Sequence, residues 1–217
     1  MKNFKIVWSV KSECGPKREK NEDSVFPNSS GVGKPPFKAG VFDGMGGHKK
    51  GEVASLIASE TMEMNLSNLE DYVVEANKKI LDYQQTNSDS EGMGTTMTAI
   101  EINDQSTLKI AHVGDSRCYV LSNRQLMQLT EDENVPGYQN VLLQALGTKK
   151  KLDIQTIDFQ LTSGDVILLC TDGVYNEFGE EYLKKRLQDG VAADTLISEL
   201  LLQEPKDNAT AMIINVI

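Results

Sequence analysis

Acidic residues recur in one local context along this sequence: an apolar run stops, and a carboxylate follows beside glycine or a small polar residue. They are Asp43 in VFDGMGG, Asp115 in AHVGDSR, Asp172 in LLCTDG, Asp207 in PKDNAT, and the pair Glu22-Asp23 in NEDSV. A strand end holds a side chain rigidly at a sheet edge, and an adjacent glycine such as Gly44 lets a cation and its waters approach the backbone. Carboxylates gathered in one place repel one another unless a cation neutralises them. An all-oxygen donor set suits hard Mg²⁺ or Mn²⁺ rather than Zn²⁺, and the chain has two histidines in total, His48 and His112. A single Asp-Gly at a strand end is more often just a turn, so composition and spacing leave both readings open, and order and neighbours must decide.

The elements that would have to position these acids follow from periodicity. Residues 5–12 alternate Ile6, Trp8 and Val10 on one side, the period of a half-buried strand. Residues 13–37 read as loop. Residues 37–42 read as a buried strand that stops at Asp43-Gly44, where the run to His48 suits no regular element. Val53, Leu56, Ile57 and Met64 recur at helical spacing from Gly51 to about residue 66, and a second helix from Leu69 carries Tyr72, Val73, Ala76 and Ile80. From Thr95 the pattern turns to strands at 95–102, 108–113, 117–121 and 126–129 with short polar turns, expected as an antiparallel meander. Strands at 154–161 and 165–170, helices at 181–188 and 192–203, and a closing strand at 209–217 complete the chain. Paired helices followed by runs of neighbouring strands indicate an α+β layered domain rather than strict strand–helix alternation.

Size and charge narrow the function classes. The 217 residues suffice for one substantial core, expected as a single domain over residues 1–217, and 39% hydrophobic with 25% charged residues is the composition of an ordinary globular protein. The formal charge of −10, with no basic block to offset it, disfavours nucleic acid and anionic membranes, and with them a carboxylate-based nuclease. Cys14, Cys118 and Cys170 are far apart and form no CxxC pair, so they read as reduced thiols. The first residues alternate polar and apolar, unlike a signal peptide, and no stretch reaches membrane-spanning length; a cytoplasmic monomer is expected.

Taken in order, RxxNED (Arg18 to Asp23), VFDGMGGH (Val41 to His48), GTT (Gly94 to Thr96), HVGDSR (His112 to Arg117), TDG (Thr171 to Gly173) and DNAT (Asp207 to Thr210) resemble the metal-dependent protein phosphatases, the PPM or type 2C family. The resemblance spans nearly the whole chain. It implies a four-layer αββα sandwich with two central antiparallel sheets flanked by helices, and Mg²⁺- or Mn²⁺-dependent removal of phosphate from phosphoserine and phosphothreonine. By motif match Asp43 bridges two ions, Gly44 offers its carbonyl to one of them, and Asp172 and Asp207 hold the other. Glu22 and Asp23 steady the centre through water, and Asp115 with Asp172 resembles a third-ion site of bacterial members. Arg18 grips the substrate phosphate. The chemistry is coherent: two cations lower the pKa of a shared water, and the planar fork of arginine can bond two phosphate oxygens. The implied partners are phosphoproteins and a Ser/Thr kinase pathway. Without the adjoining NED motif, Arg18 in KREK would read as a solvated surface charge.

Two departures from the family pattern stand out. Met45 occupies the place where many eukaryotic members carry a histidine, leaving His48 or a water to protonate the leaving group. After LTEDENV the usual Asp-His-Ser and mobile flap are missing; residues 130–147 run almost directly into QALG, and Glu133 replaces the histidine. A shortened flap should open one wall of the cleft. It also admits a narrower reading, a phosphatase dedicated to one small signalling protein of the anti-sigma-factor-antagonist type. A non-catalytic pseudophosphatase is the other alternative, and a missing metal carboxylate would have supported it; none is missing.

Overall fold

The alternation of Ile6, Trp8 and Val10 produces β1 (Ile6–Glu13), which buries Ile6 and Val10 against the opposing sheet. The structure is a computed structural model that describes residues 4–45 and 50–217, with the side chains of residues 139 and 140 left aside. β1 pairs along its length with β13 (Ala209–Val216), from Ile6 opposite Val216 to Glu13 opposite Ala209. Around this pair β3 (Gly31–Gly33), β12 (Val166–Cys170), β7 (Arg117–Ser122) and β8 (Gln125–Gln128) complete a six-stranded sheet, in the order β3-β1-β13-β12-β7-β8. The second sheet has five strands, β2 (Asp23–Phe26), β4 (Phe37–Asp43), β5 (Met97–Ile102), β6 (Thr107–Val113) and β11 (Gln155–Gln160), ordered β11-β6-β5-β4-β2. Every pairing in both sheets is antiparallel.

The sheets pack face to face. Phe37, Ala39 and Val41 of β4, two apart and so on one side, join Ile100, Val120, Leu169 and Ile214 in the central core. Helices α1 (Gly51–Thr61) and α2 (Leu69–Thr86) cover the outer face of the five-stranded sheet over Phe42, Met97 and Ala111. Helices α4 (Glu180–Gln188) and α5 (Ala193–Leu201) cover the six-stranded sheet over Tyr119, Leu168 and Ile213. The four layers expected of the family are therefore present. A cap sets the start of α2, where the Asn68 carboxamide accepts the Asp71 N–H at 2.9 Å.

The expected meander is not one sheet. β5 and β6 belong to the five-stranded sheet, whereas β7 and β8 belong to the six-stranded one, so the segment containing Asp115 crosses from sheet to sheet. The first helix also differs from its periodic reading. It ends at Thr61 rather than near residue 66 and buries small residues, Ala54, Ser55 and Ala58, while Leu56 stays half exposed. Residues 13–37, read as loop, contain the short strands β2 and β3. A hairpin of β9 (Asn134–Val135) and β10 (Tyr138–Leu142), and a single-turn helix α3 (Asp172–Tyr175), are too short to register as periodic patterns.

Removing side-chain volume from the central core should be felt far more than the same change on the outer face of α1. Ile100→Ala, fully buried, should lower the unfolding free energy in urea by about 2–5 kcal/mol. Leu56→Ala, half exposed, should change it by less than about 1 kcal/mol, and equal losses would contradict this layering.

Candidate metal centre

The strand termini deliver the acids to one edge of the sandwich. Asp23 opens β2 and Asp43 closes β4, and the antiparallel register sets the two directly opposite each other. Asp115 lies in the link from β6 to β7, Asp172 follows β12 at the start of α3, and Asp207 precedes β13. Asp43, Asp115, Asp172 and Asp207 line one cavity of about 1000 Å³, together with Gly44 and Arg18. Asp23 sits behind that surface, buried. Glu22 is half buried beside the first residue of α1, where a Cβ on Gly51 would lie 2.8 Å from its Oε1.

Backbone clamps hold these termini in place. The Asp43 N–H donates to Thr96 Oγ1, and its carbonyl accepts from the Thr96 N–H and the Thr95 hydroxyl, each at 2.9 Å. The Gly44 N–H donates to the Glu22 carbonyl at 3.1 Å, and a Cβ on Gly44 would sit 2.4 Å from the Gly51 carbonyl oxygen, so only glycine fits. A Cβ on Gly173 would come 1.9 Å from the Asn208 carbonyl oxygen, which is how closely the Asp172 and Asp207 segments approach. The Asn208 carboxamide ties the Asp207 turn to the NED segment, accepting the Glu22 N–H at 3.0 Å and donating to the Lys20 carbonyl at 2.9 Å.

Comparison with known proteins decides what this arrangement belongs to. A family model described as protein phosphatase 2C matches residues 17–202. The serine/threonine phosphatase stp of Listeria monocytogenes serotype 4b is 33% identical over 94% of this chain and 93% of its own length. The chain belongs to the protein phosphatase 2C family. The solved Mycobacterium tuberculosis phosphatase PstP/Ppp superposes with a TM-score of 0.85 at 28% identity, covering 97% of this chain and 98% of that one. A PstP catalytic domain in complex with two manganese ions gives the same score and identity, covering 99% of each chain.

The electrostatics of this phosphatase 2C edge are those of a charge cluster short of a cation. Asp23 Oδ2 accepts the hydroxyls of Thr171 at 2.9 Å and Thr210 at 2.6 Å, while its buried Oδ1 has no partner among the described residues. Burial pushes the Asp23 carboxyl up to about 7 against the pull of those two hydroxyls. Asp172 also rises to about 7, through burial first and then the charges of Asp115 and Asp207, although Asp43 lies within hydrogen-bonding reach. Asp43 is pushed well above the usual carboxylate range by burial and by Asp23, Asp172, Asp115 and Asp207. It lines the cavity and is half buried.

Such a set fits hard divalent cations: oxygen donors only, mutually repelling, with one buried acceptor orphaned. Among the described residues no three His, Cys, Asp or Glu side chains already form a finished metal site.

Other expected residues fall into clear roles or outside view. Arg18 reaches the cavity, where its Nη2 donates to Asp207 Oδ2 at 2.5 Å. His48 lies outside the described residues. His112 is fully buried, bonded to Thr98 Oγ1 at 2.8 Å and the Gly114 carbonyl at 2.9 Å, and burial depresses it to about 4, so it is a neutral structural group. All three cysteines are free, with Cys118 and Cys170 buried and Cys14 half buried.

The residues that sequence reasoning passed over are the supports. Thr171 and Thr210 grip Asp23, and Thr95 and Thr96 grip Asp43. Asn134 Nδ2 donates to Asp115 Oδ2 at 2.9 Å, and the Tyr175 hydroxyl donates to the Asp115 carbonyl at 3.0 Å. Arg117 forks onto Asp132 and stacks on the Tyr175 ring, 3.6 Å from its centroid. For Thr95, Thr96, Thr171, Thr210 and Arg117 the sequence signal was their place inside the motifs GTT, TDG, DNAT and HVGDSR, whereas Asn134 and Tyr175 lie outside them.

These raised acids fix a sign. A carboxyl that titrates near 4 unfolded and near 7 folded keeps its proton in the folded state across that interval, so cation-free stability falls as pH rises through it. His112, depressed from 6.5 to about 4, acts oppositely below 6.5, which leaves pH 6.5–8 as the clean window. In chelator the melting temperature should fall across that window. Millimolar Mn²⁺ should raise it more at pH 8 than at pH 6.5; a gain that shrinks with pH would contradict the cluster.

Proposed function

We propose that this protein is a metal-dependent serine/threonine phosphatase that hydrolyses phosphoserine and phosphothreonine in phosphoproteins, with two Mg²⁺ or Mn²⁺ ions held by Asp43, the Gly44 carbonyl, Asp172 and Asp207. The observation that carries this reading is the meeting of Asp43, Asp115, Asp172 and Asp207 on the surface of one cavity, in a chain whose family is protein phosphatase 2C. Bound cations would activate solvent for attack on phosphorus and offset the negative charge of the acids.

The chain's own residues supply everything else. Asp43 sits at the centre of the acids, where a shared carboxylate can face both ions. Asp23, behind it, and Glu22, beside the α1 start, act through water, and Asp115 with Asp172 offers a further ion position. Arg18 has one amino group on Asp207, and a guanidinium carries five N–H donors in all, so phosphate capture needs no break in that pair. Anchored this way, the guanidinium is pre-oriented, and less side-chain freedom is lost when the phosphate binds. Among the described residues no helix is long and apolar enough to cross a membrane. We place the enzyme in the cytoplasm as a monomer, opposing a Ser/Thr kinase, which suits its free thiols and acidic surface.

Two substitutions test the assignment on a small aryl phosphate in manganese buffer. Asp43→Asn should abolish turnover while keeping the fold, and retention of full activity would rule out the mechanism. Arg18→Ala should raise KM by roughly tenfold, the loss of a charge-assisted hydrogen bond, and lower kcat less. A pure kcat defect would move Arg18 from substrate capture to support of Asp207.

A further inference from the structure

The cavity that holds the acids has one wall that none of the chemistry above uses. The β9–β10 hairpin and the residues after it build that wall, with Val141, Leu142 and Leu143 lining the cavity beside Ala145. Val141 and Leu143 remain 49% and 52% exposed, and both line the cavity, Val141 from the end of β10 and Leu143 from the bend that follows it. Among the described residues three of the nine exposed large hydrophobics fall within residues 138–143, so the cluster is local rather than scattered. Neither Val141 nor Leu143 belongs to the three buried cores, so stability does not account for them.

The wall is held stiffly against the acids. The Leu143 N–H donates to the Glu133 carbonyl at 2.7 Å, and the Glu133 N–H donates to the Gly114 carbonyl at 2.9 Å. Glu133 Oε2 accepts the Gly114 N–H at 2.8 Å, and the Gln144 carboxamide bridges Glu133 to the Asp153 carbonyl. With Asn134 on Asp115, the hairpin is pinned to the loop that carries one of the acids. A preformed apolar surface at fixed distance from a phosphate site selects what flanks the phosphate.

The cavity's volume of about 1000 Å³ leaves room beyond a phosphorylated side chain. On the phosphatase reading above, we infer that Val141 and Leu143 form a subsite for an apolar side chain next to the phosphorylated residue, so that preferred substrates carry Leu, Ile, Met or Phe within about two positions of it. An apolar flank gains by burial against Val141 and Leu143, whereas a charged one loses water there and finds a counter-charge only where an acidic group reaches Lys149 or Lys206. Lys149 lines the same cavity, which makes an acidic flank the competing preference.

The test is a set of phosphothreonine peptides identical except for Leu, Gly, Asp or Lys beside the phosphoresidue. They are assayed in manganese with the wild-type chain and with Val141→Ser/Leu143→Ser. The wild type should prefer Leu over Gly by about tenfold in kcat/KM, the scale of one apolar pocket contact, and the double variant, with unchanged melting temperature, should bring that ratio close to one. No Leu preference, a stronger preference for Asp, or a preference that survives in the variant would overturn the inference. So would a wild-type dimer that the double substitution dissociates, since the wall would then be a subunit contact. Failure to hydrolyse any peptide or a small aryl phosphate would sink the phosphatase reading itself, and this inference with it.

Discussion

Two carboxylates face each other across a strand pair at the heart of this molecule. Asp23 and Asp43 are register partners on β2 and β4, with Asp172 and Asp207 close enough to raise their titration further. Like charges directly opposite on neighbouring strands oppose pairing, and burial magnifies the effect because water cannot screen them. The protein answers part of this with its own groups. Thr171 and Thr210 satisfy one oxygen of Asp23, and Arg18 compensates Asp207 and, more weakly, Asp43, but among the described residues the other oxygen of Asp23 has no partner. The rest of the edge can be understood as what is needed to keep these acids near one another until something positive arrives. Glycine at 44 and 173 allows main chains to approach closely, and Asn208 staples the Asp207 turn to the NED segment.

How much of this was legible in the sequence depends on the length scale of the signal. Asp43, Asp115 and Asp172 could be found because each follows an apolar run, which leaves a mark in any period analysis, whereas Asp23 opens its strand, Asp207 precedes its own, and both were carried by the motifs NED and DNAT. The α+β layered class followed from the succession of helices and strands, and the four layers from the family resemblance. The assignment of strands to sheets did not. β5, β6 and β7 are largely buried and apolar in the same way, and no pattern within them tells that the chain changes sheets at Asp115. Of the positions read as a helical stripe, Val53, Ile57 and Met64 do pack on the core, and Leu56 stays half exposed; the fully buried face is built of Ala54, Ser55 and Ala58, residues too small to mark a hydrophobic period.

The supports were illegible because they act through single hydrogen bonds. Thr171 and Thr210 look like any strand threonine, and only their common target, one oxygen of Asp23 across 148 and 187 residues of sequence, gives them meaning. Asn134 and Tyr175 are likewise ordinary until Asp115 lies between them.

The replacement at Glu133 shows how the shortened segment still works as a unit. The resemblance led to an expectation of histidine there and a mobile flap beyond. Instead a carboxylate accepts one main-chain N–H from the Asp115 loop and the carboxamide of Gln144, and burial raises its titration while those donors restrain the rise. A long flap samples many arrangements and must lose that freedom when substrate binds. A hairpin laced by Glu133, Asn134 and Gln144 to the floor of the cavity has lost it in advance. The same short ladder fixes Asp115 and the apolar wall together, so a change at Glu133, Asn134 or Gln144 that shifts one of them would shift the other.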